Sequence, residues 1–132
     1  MLNDLNTLLE KYRKKLALRL VILFGSRARG DYTDRSDIDI LVVADDLPKD
    51  PRESFALLRD TSFVNVNPIG FNTESFLKKL KDGSAFVIEV IEDGKILYID
   101  NEFLDKVMKI YRDVRKRYAR QGKTWYLISS KQ

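Results

Sequence analysis

The chain has 132 residues, of which 44% are hydrophobic and 33% charged, and it contains no Cys and no His. Lys and Arg outnumber Asp and Glu by 24 to 20, a net charge of +4 at pH 7. This composition excludes a disulfide framework, a zinc site built on Cys or His, and a Ser-His or Cys-His nucleophile. Any general base must be Asp, Glu, Lys or Tyr, and any metal must sit among oxygens, which favours Mg²⁺ or Mn²⁺.

The length predicts one domain over 1–132, with a core over 1–100, a C-terminal helix over 101–121 and a tail over 122–132. No apolar run approaches the ~20 residues of a membrane span. The polar, acidic start is unlike a signal peptide, so a cytoplasmic protein is expected. The charge is uneven: residues 102–132 carry +6 and the rest −2.

Leu2, Leu5, Leu8, Leu9, Tyr12 and Leu16 recur at helical spacing and predict a helix over 3–15. A strand over 19–24 should end at the Gly25-Ser26 turn, followed by a short helix over 27–29 that Gly30 stops. A polar loop over 33–36 leads to a mostly apolar strand over 37–44, buried on both faces. After a loop over 45–50, Pro51 suits the first turn of a helix reaching 59. A strand over 62–67 is expected to end at Pro68 and Gly70, and Thr73 to cap a helix over 74–81 closed by Gly83. Residues 85–98 read two ways: a hairpin turning at 92–94, or a buried helix over 85–91 followed by one strand. Asn101 is the expected N-cap of a last helix reaching about 120, with Leu104, Val107, Met108, Tyr111, Val114 and Tyr118 on one face. The sole Trp, Trp125, lies in the tail. Strands joined by helices imply a layered α/β domain with a small mixed sheet and a site at the C-terminal end of the first strand.

The densest chemical signal is Gly25-Ser26, ten residues, then Asp37-Ile38-Asp39. Two carboxylates two apart on a strand share a face while Ile38 turns into the core. Their mutual repulsion favours a cation between them. A Gly-Ser turn offers backbone N–H groups and a hydroxyl to a phosphate. Together these features describe a site for a metal-bound nucleotide.

This arrangement, with Phe24-Gly25-Ser26-Arg27-Ala28-Arg29-Gly30 before it and Ile40-Leu41-Val42-Val43 after it, resembles the signature of the DNA polymerase β superfamily, in particular its minimal nucleotidyltransferases. The resemblance implies a mixed sheet flanked by helices, and it selects the helix over 85–91. It implies transfer of NMP, AMP above all, from an NTP such as ATP to a protein or small-molecule acceptor. By resemblance, Asp37 and Asp39 hold two Mg²⁺ ions and do the catalytic work, while Gly25 and Ser26 hold phosphates; Arg29 is a phosphate candidate because its guanidinium can neutralise charge on the pyrophosphate. Arg27 is a weaker phosphate candidate. The family's third carboxylate corresponds here to Asn67, or else to Asn65, and neither amide can act as a base. The expectation is therefore nucleotide binding with slow or absent transfer. Glu74 and Glu89 are the distant alternatives as base, each reading first as an exposed helix acid.

Arg112, Arg115, Lys116, Arg117 and Arg120, with Tyr111, Tyr118, Trp125 and Tyr126 nearby, form a basic segment that reads first as a solvated helix face and second as a nucleic-acid contact. Minimal nucleotidyltransferases also pair with small helical HEPN proteins as toxin and antitoxin, so such a partner is implied too. The alternatives to an enzyme are a weakly catalytic, nucleotide-binding antitoxin subunit and a nucleic-acid-binding module.

Overall fold

A computed structural model describes residues 2–31, 37–63, 65–122 and 124–128. The elements run α1 (Leu2–Lys15), β1 (Leu18–Phe24), α2 (Ser26–Arg29), β2 (Ile38–Ala44), α3 (Pro51–Leu58), β3 (Val66–Asn72), α4 (Thr73–Lys81), α5 (Ala85–Asp93), β4 (Lys95–Ile99), α6 (Asn101–Arg115), β5 (Tyr118–Gln121) and β6 (Thr124–Leu127). The predicted loop over 33–36 lies outside the described residues. The first four strands form a mixed sheet in the order β3-β2-β1-β4, and β5 and β6 form a separate hairpin. β2 is antiparallel to β1 and parallel to β3.

Strand alternation builds two cores, one on each face of the sheet. Leu20, Ile22, Leu41 and Val43 pack against Phe76, Leu80, Val87, Ile88, Phe103 and Val107 of α4, α5 and α6. Val21, Ile38, Ile40 and Val42 pack against Leu5, Leu8 and Tyr12 of α1 and Leu58 of α3. With both faces covered, β2 is nearly all apolar, as expected for a central strand. The Tyr12 hydroxyl donates to the Leu58 carbonyl at 2.7 Å and ties α1 to α3 across that second core.

The structure corrects four local expectations. The strand read over 62–67 instead spans Val66–Asn72 and runs through Pro68 and Gly70. β3 is an edge strand, where a proline's missing N–H is tolerated. Gly70 is there for packing: a Cβ would come within 2.7 Å of Leu58 Cδ1 and 3.0 Å of Ser54 Cβ. The α4 cap is Asn72, whose side chain accepts from Ser75 N at 2.7 Å, while the Thr73 hydroxyl donates to Asp45 at 2.5 Å. The α6 cap is likewise one residue earlier, Asp100, which accepts from Phe103 N at 3.1 Å. Finally, α6 ends at Arg115, and Tyr118 and Arg120 lie on β5.

Over 85–98 the helix holds. α5 buries Val87, Ile88 and Val90, and Ser84 Oγ accepts from Val87 N at 3.4 Å. Burial against β1 and α4 outweighs the β-branched composition that favoured a hairpin.

Candidate active site

β1 ends at Phe24, and the chain turns through Gly25 with φ 75° and ψ −154°, a backbone region that only glycine populates readily. Ala28 N and Arg29 N both donate to the Gly25 carbonyl at 3.1 Å, which opens α2 at Ser26. The neighbouring strand dictates the glycine as well. Asp39 pairs in register with Phe24, and a Cβ on Gly25 would lie 2.6 Å from Asp39 Oδ2. The Asp39 carboxylate therefore rests against the Gly25 backbone.

On its other side Asp39 is in register with Asn67 of β3, whose Nδ2 donates to Asp39 Oδ1 at 3.2 Å. Asn65 sits before β3, and its carbonyl accepts from Ile38 N at 2.8 Å. Of the two amides weighed from the sequence, Asn67 is the one beside the carboxylate. Ile38 is buried and Asp37 is exposed just ahead of β2. Among the described residues neither Asp37 nor Asp39 forms an ion pair with a Lys or Arg.

Two concavities flank this locus. One, of about 210 Å³, lies on the β1 side, between Gly25, Arg29 and α5 residues Phe86, Glu89 and Asp93. The other, of about 360 Å³, lies on the β3 side, against Asp37 and Asn67, with Phe55, Arg59 and Phe63 on its wall. Phe55, Arg59 and Phe63 were not anticipated. Their one sequence signal was the four-residue spacing of Phe55 and Arg59, a single helical turn.

The oxygens here suit a hard divalent cation, although no group of three or more Asp, Glu, His or Cys stands ready to hold one among the described residues. Mg²⁺ is commonly held by one or two carboxylates, with substrate phosphates and water completing its shell. Asp37 and Asp39, uncompensated by any described cation, fit that pattern. Turning the Asn67 amide over would present an oxygen in place of its NH₂.

The other expected residues are dispersed. Arg27 is buried at 7% exposure, turned into the fold. Arg29 is exposed, with its Nε 3.3 Å from Asp31 Oδ2. Glu74 is exposed and 3.6 Å from Lys49. Glu89 is half-buried on the β1-side concavity, where Oε1 accepts from Trp125 Nε1 at 2.9 Å.

The basic segment is divided. Arg115 and Arg120 each hold their guanidinium 4.8 Å from the Trp125 ring centroid. Arg120 also grips both oxygens of Asp93 at 2.7 Å. Glu92 accepts from Arg115 at 2.7 Å, Tyr111 at 2.8 Å and Arg120 at 2.9 Å. Burial pushes the Glu92 carboxyl up, but these three bonds outweigh it and hold it down at about 2. Burial, reinforced by the bond to Glu92, pushes the Tyr111 hydroxyl up to about 12. The Arg120 guanidinium holds the Asp93 carboxyl below its usual range, with a smaller pull from Arg29. These aromatic and basic side chains are thus spent on the protein itself. Arg112, Lys116 and Arg117 line a separate surface groove with Lys81 and Lys109.

Comparison with known proteins agrees with the fold. The chain is 30% identical over 93% of its length, and 91% of the relative's, to a Methanocaldococcus jannaschii protein named "Putative protein adenylyltransferase". A Sulfolobus solfataricus crystal structure described as a "putative nucleotidyltransferase" superposes with a TM-score of 0.55 at 28% identity, covering 76% of this chain and 82% of that one. A chain of a toxin–antitoxin complex with AMP-PNP shares the fold, with a TM-score of 0.53 at 24% identity over 84% of this chain and 89% of that one. The family described as "Polymerase beta, Nucleotidyltransferase" matches residues 3–103, which span both sides of the Gly25–Asp39 locus, and the chain belongs to that family.

Proposed function

We propose that the protein transfers AMP from ATP to a hydroxyl of a protein acceptor, with Gly25, Ser26 and Arg29 holding the phosphates and Asp37 and Asp39 holding Mg²⁺ or Mn²⁺. The observation that carries this reading is the Asp39 carboxylate, seated against the Gly25 backbone and neutralised by no described Lys or Arg. Two adjacent strand ends thus bring a carboxylate and a glycine turn together. The divalent ion, when bound, would neutralise phosphate charge and favour the ionised hydroxyl. The attacking oxygen bonds to the α-phosphorus as the bond from that phosphorus to the β-phosphate oxygen breaks. Pyrophosphate leaves, and the hydroxyl proton passes to solvent.

AMP and a protein acceptor are supported by the name of the M. jannaschii relative, which aligns over nearly the whole chain. The fold shared with a toxin–antitoxin chain makes a small helical HEPN-type protein the first partner and acceptor to test. A Cys-free chain handling ATP suits the cytoplasm, and no described helix is long and apolar enough to cross a membrane.

Asn67 sets the rate. It stands beside Asp39 where the family places a third carboxylate, and an amide cannot take a proton. Slow transfer with intact nucleotide binding is the expected behaviour, which is also what a nucleotide-binding antitoxin subunit requires. The decisive test is labelled ATP with Mg²⁺ or Mn²⁺ and candidate partner proteins, in wild type and in Asn67→Asp. Labelled protein, labelled faster in Asn67→Asp, is the expected result. Brisk wild-type transfer that Asn67→Asp does not improve would overturn the role given to Asn67.

A further inference from the structure

We propose that the concavity on the β3 side is the acceptor subsite, and that Phe55, Arg59 and Phe63 select a protein segment presenting its hydroxyl between an apolar residue and an acidic one. The inference rests on the nucleotide reading above and follows from the order of the strands. Phosphoryl and nucleotidyl transfer proceed roughly in line, so the attacking and leaving oxygens stand on opposite sides of phosphorus. The leaving pyrophosphate belongs with Gly25 and Ser26 at the end of β1. Asp39 on β2 is the middle of the site, and β3 lies on the far side of β2 from β1. The attacking hydroxyl must arrive from the β3 side. There the structure has an opening of about 360 Å³ that reaches both Asp37 and Asn67. As the hydroxyl oxygen bonds to the α-phosphorus, pyrophosphate departs toward β1, away from this opening, and the proton leaves through it to water.

The wall chemistry narrows the acceptor. Phe55 is 38% exposed, a large apolar ring left open on α3. Phe63 is partly buried, with Lys11 Nζ 5.4 Å from its ring centroid. Asp60 is already engaged by Lys11 at 2.9 Å and by Ser62 N at 2.9 Å. Arg59, by contrast, is exposed and makes no ion pair among the described residues. It is the cation this wall offers to a ligand, and a carboxylate is its natural partner.

The test uses the full chain loaded with Mg²⁺ and a non-hydrolysable ATP analogue. The probes are two fluorescent peptides, each with one serine next to a leucine. One carries glutamate on the other side, and the second carries lysine there. The acidic peptide should bind about tenfold more tightly, and Arg59→Glu should reverse that order. Phe55→Ala should weaken both peptides while the affinity for the analogue stays at the wild-type value. Lys116→Glu, in the separate basic groove, should change nothing. Peptides bound equally well, not bound, or insensitive to Arg59→Glu overturn the subsite, as does a reversal produced by Lys116→Glu instead. The nucleotide reading fails separately, if the analogue does not bind or binds Asp39→Asn as tightly as wild type.

Discussion

Asp39 and Glu92 are both carboxylates near the ends of secondary elements, and the protein treats them in opposite ways. Glu92 receives three hydrogen bonds, two of them from guanidinium groups. Among the described residues Asp39 receives one, a 3.2 Å amide contact from Asn67. The Glu92 cluster joins α5, α6 and β5 through charges that satisfy one another. At the Asp39 locus the backbone is held in a glycine-only conformation and the charge is left without a counter-charge among the described residues. A charge balanced by its own protein holds a fold together, and a charge left open is available to a ligand. The contrast also reassigns the basic C-terminal segment. Arg115 and Arg120 belong to the first kind, so they are fold-forming residues, and Trp125 is their platform.

The largest expected effect falls on activity without stability. Asp39→Asn should lower nucleotide transfer by about 10²–10³-fold, the usual consequence of removing one preorganised group from the reacting centre. The thermal midpoint should hold or rise, because an unbalanced charge is removed. A variant that unfolds at a lower temperature would place Asp39 with the structural carboxylates and erase the comparison. Trp125→Ala should do the converse. It strips the platform from Arg115 and Arg120 and the donor from Glu89, at a cost of about 2 kcal/mol in a chemical denaturation curve. Nucleotide affinity should hold near the wild-type value; a large drop would show that the C-terminal hairpin takes part in the site. Gly25→Ala should do both, less strongly. The backbone strain costs about 1–2 kcal/mol, and the new methyl collides with Asp39 Oδ2, so nucleotide affinity should fall along with stability.

Much of this was legible from the sequence, and the exceptions share a cause. The Gly25-Ser26 turn and the Asp37-Ile38-Asp39 pair each sit on contiguous residues and could be read one at a time, while the β1–β2 register that sets Asp39 against Gly25 could not. β1, β2 and α1 were likewise announced by their own apolar patterns. The strand through Pro68 and Gly70 was missed because both residues read locally as breakers. Only the sheet order reveals that Pro68 lies on an edge strand, and only α3 reveals that Gly70 makes room for Leu58. The end of α6 failed similarly. Tyr118 continues the helical spacing, but its ring packs against Trp125 and its hydroxyl donates to the Gly83 carbonyl at 2.5 Å, contacts that favour a hairpin. Phe55, Arg59 and Phe63 gather only because α3 returns the chain to the start of β3, information that no single segment carries.

The smallest effect tests the structural half of the comparison through pH. The folded Glu92 carboxyl is held down at about 2, below its ordinary value of 4.5. A depressed carboxylate contributes stability that is fully present above its unfolded pKa and lost as pH falls toward the folded one. Glu92 should therefore add a downward slope to the unfolding free energy between about pH 4.5 and 2. Glu92→Gln should flatten that slope, as read from denaturation midpoints measured across the window. Tyr111 works at the other limit. Its hydroxyl is raised to about 12 from its ordinary value of 10.0, so its contribution is intact below pH 10.0 and lost as pH climbs toward 12. Because the two groups share one hydrogen bond, Tyr111→Phe should remove the alkaline loss and shrink the acid slope without abolishing it, since Arg115 and Arg120 still hold Glu92. An acid slope unchanged in Glu92→Gln would mean that the cluster's arginines serve Asp93 alone, and Glu92 would then belong with the open carboxylates.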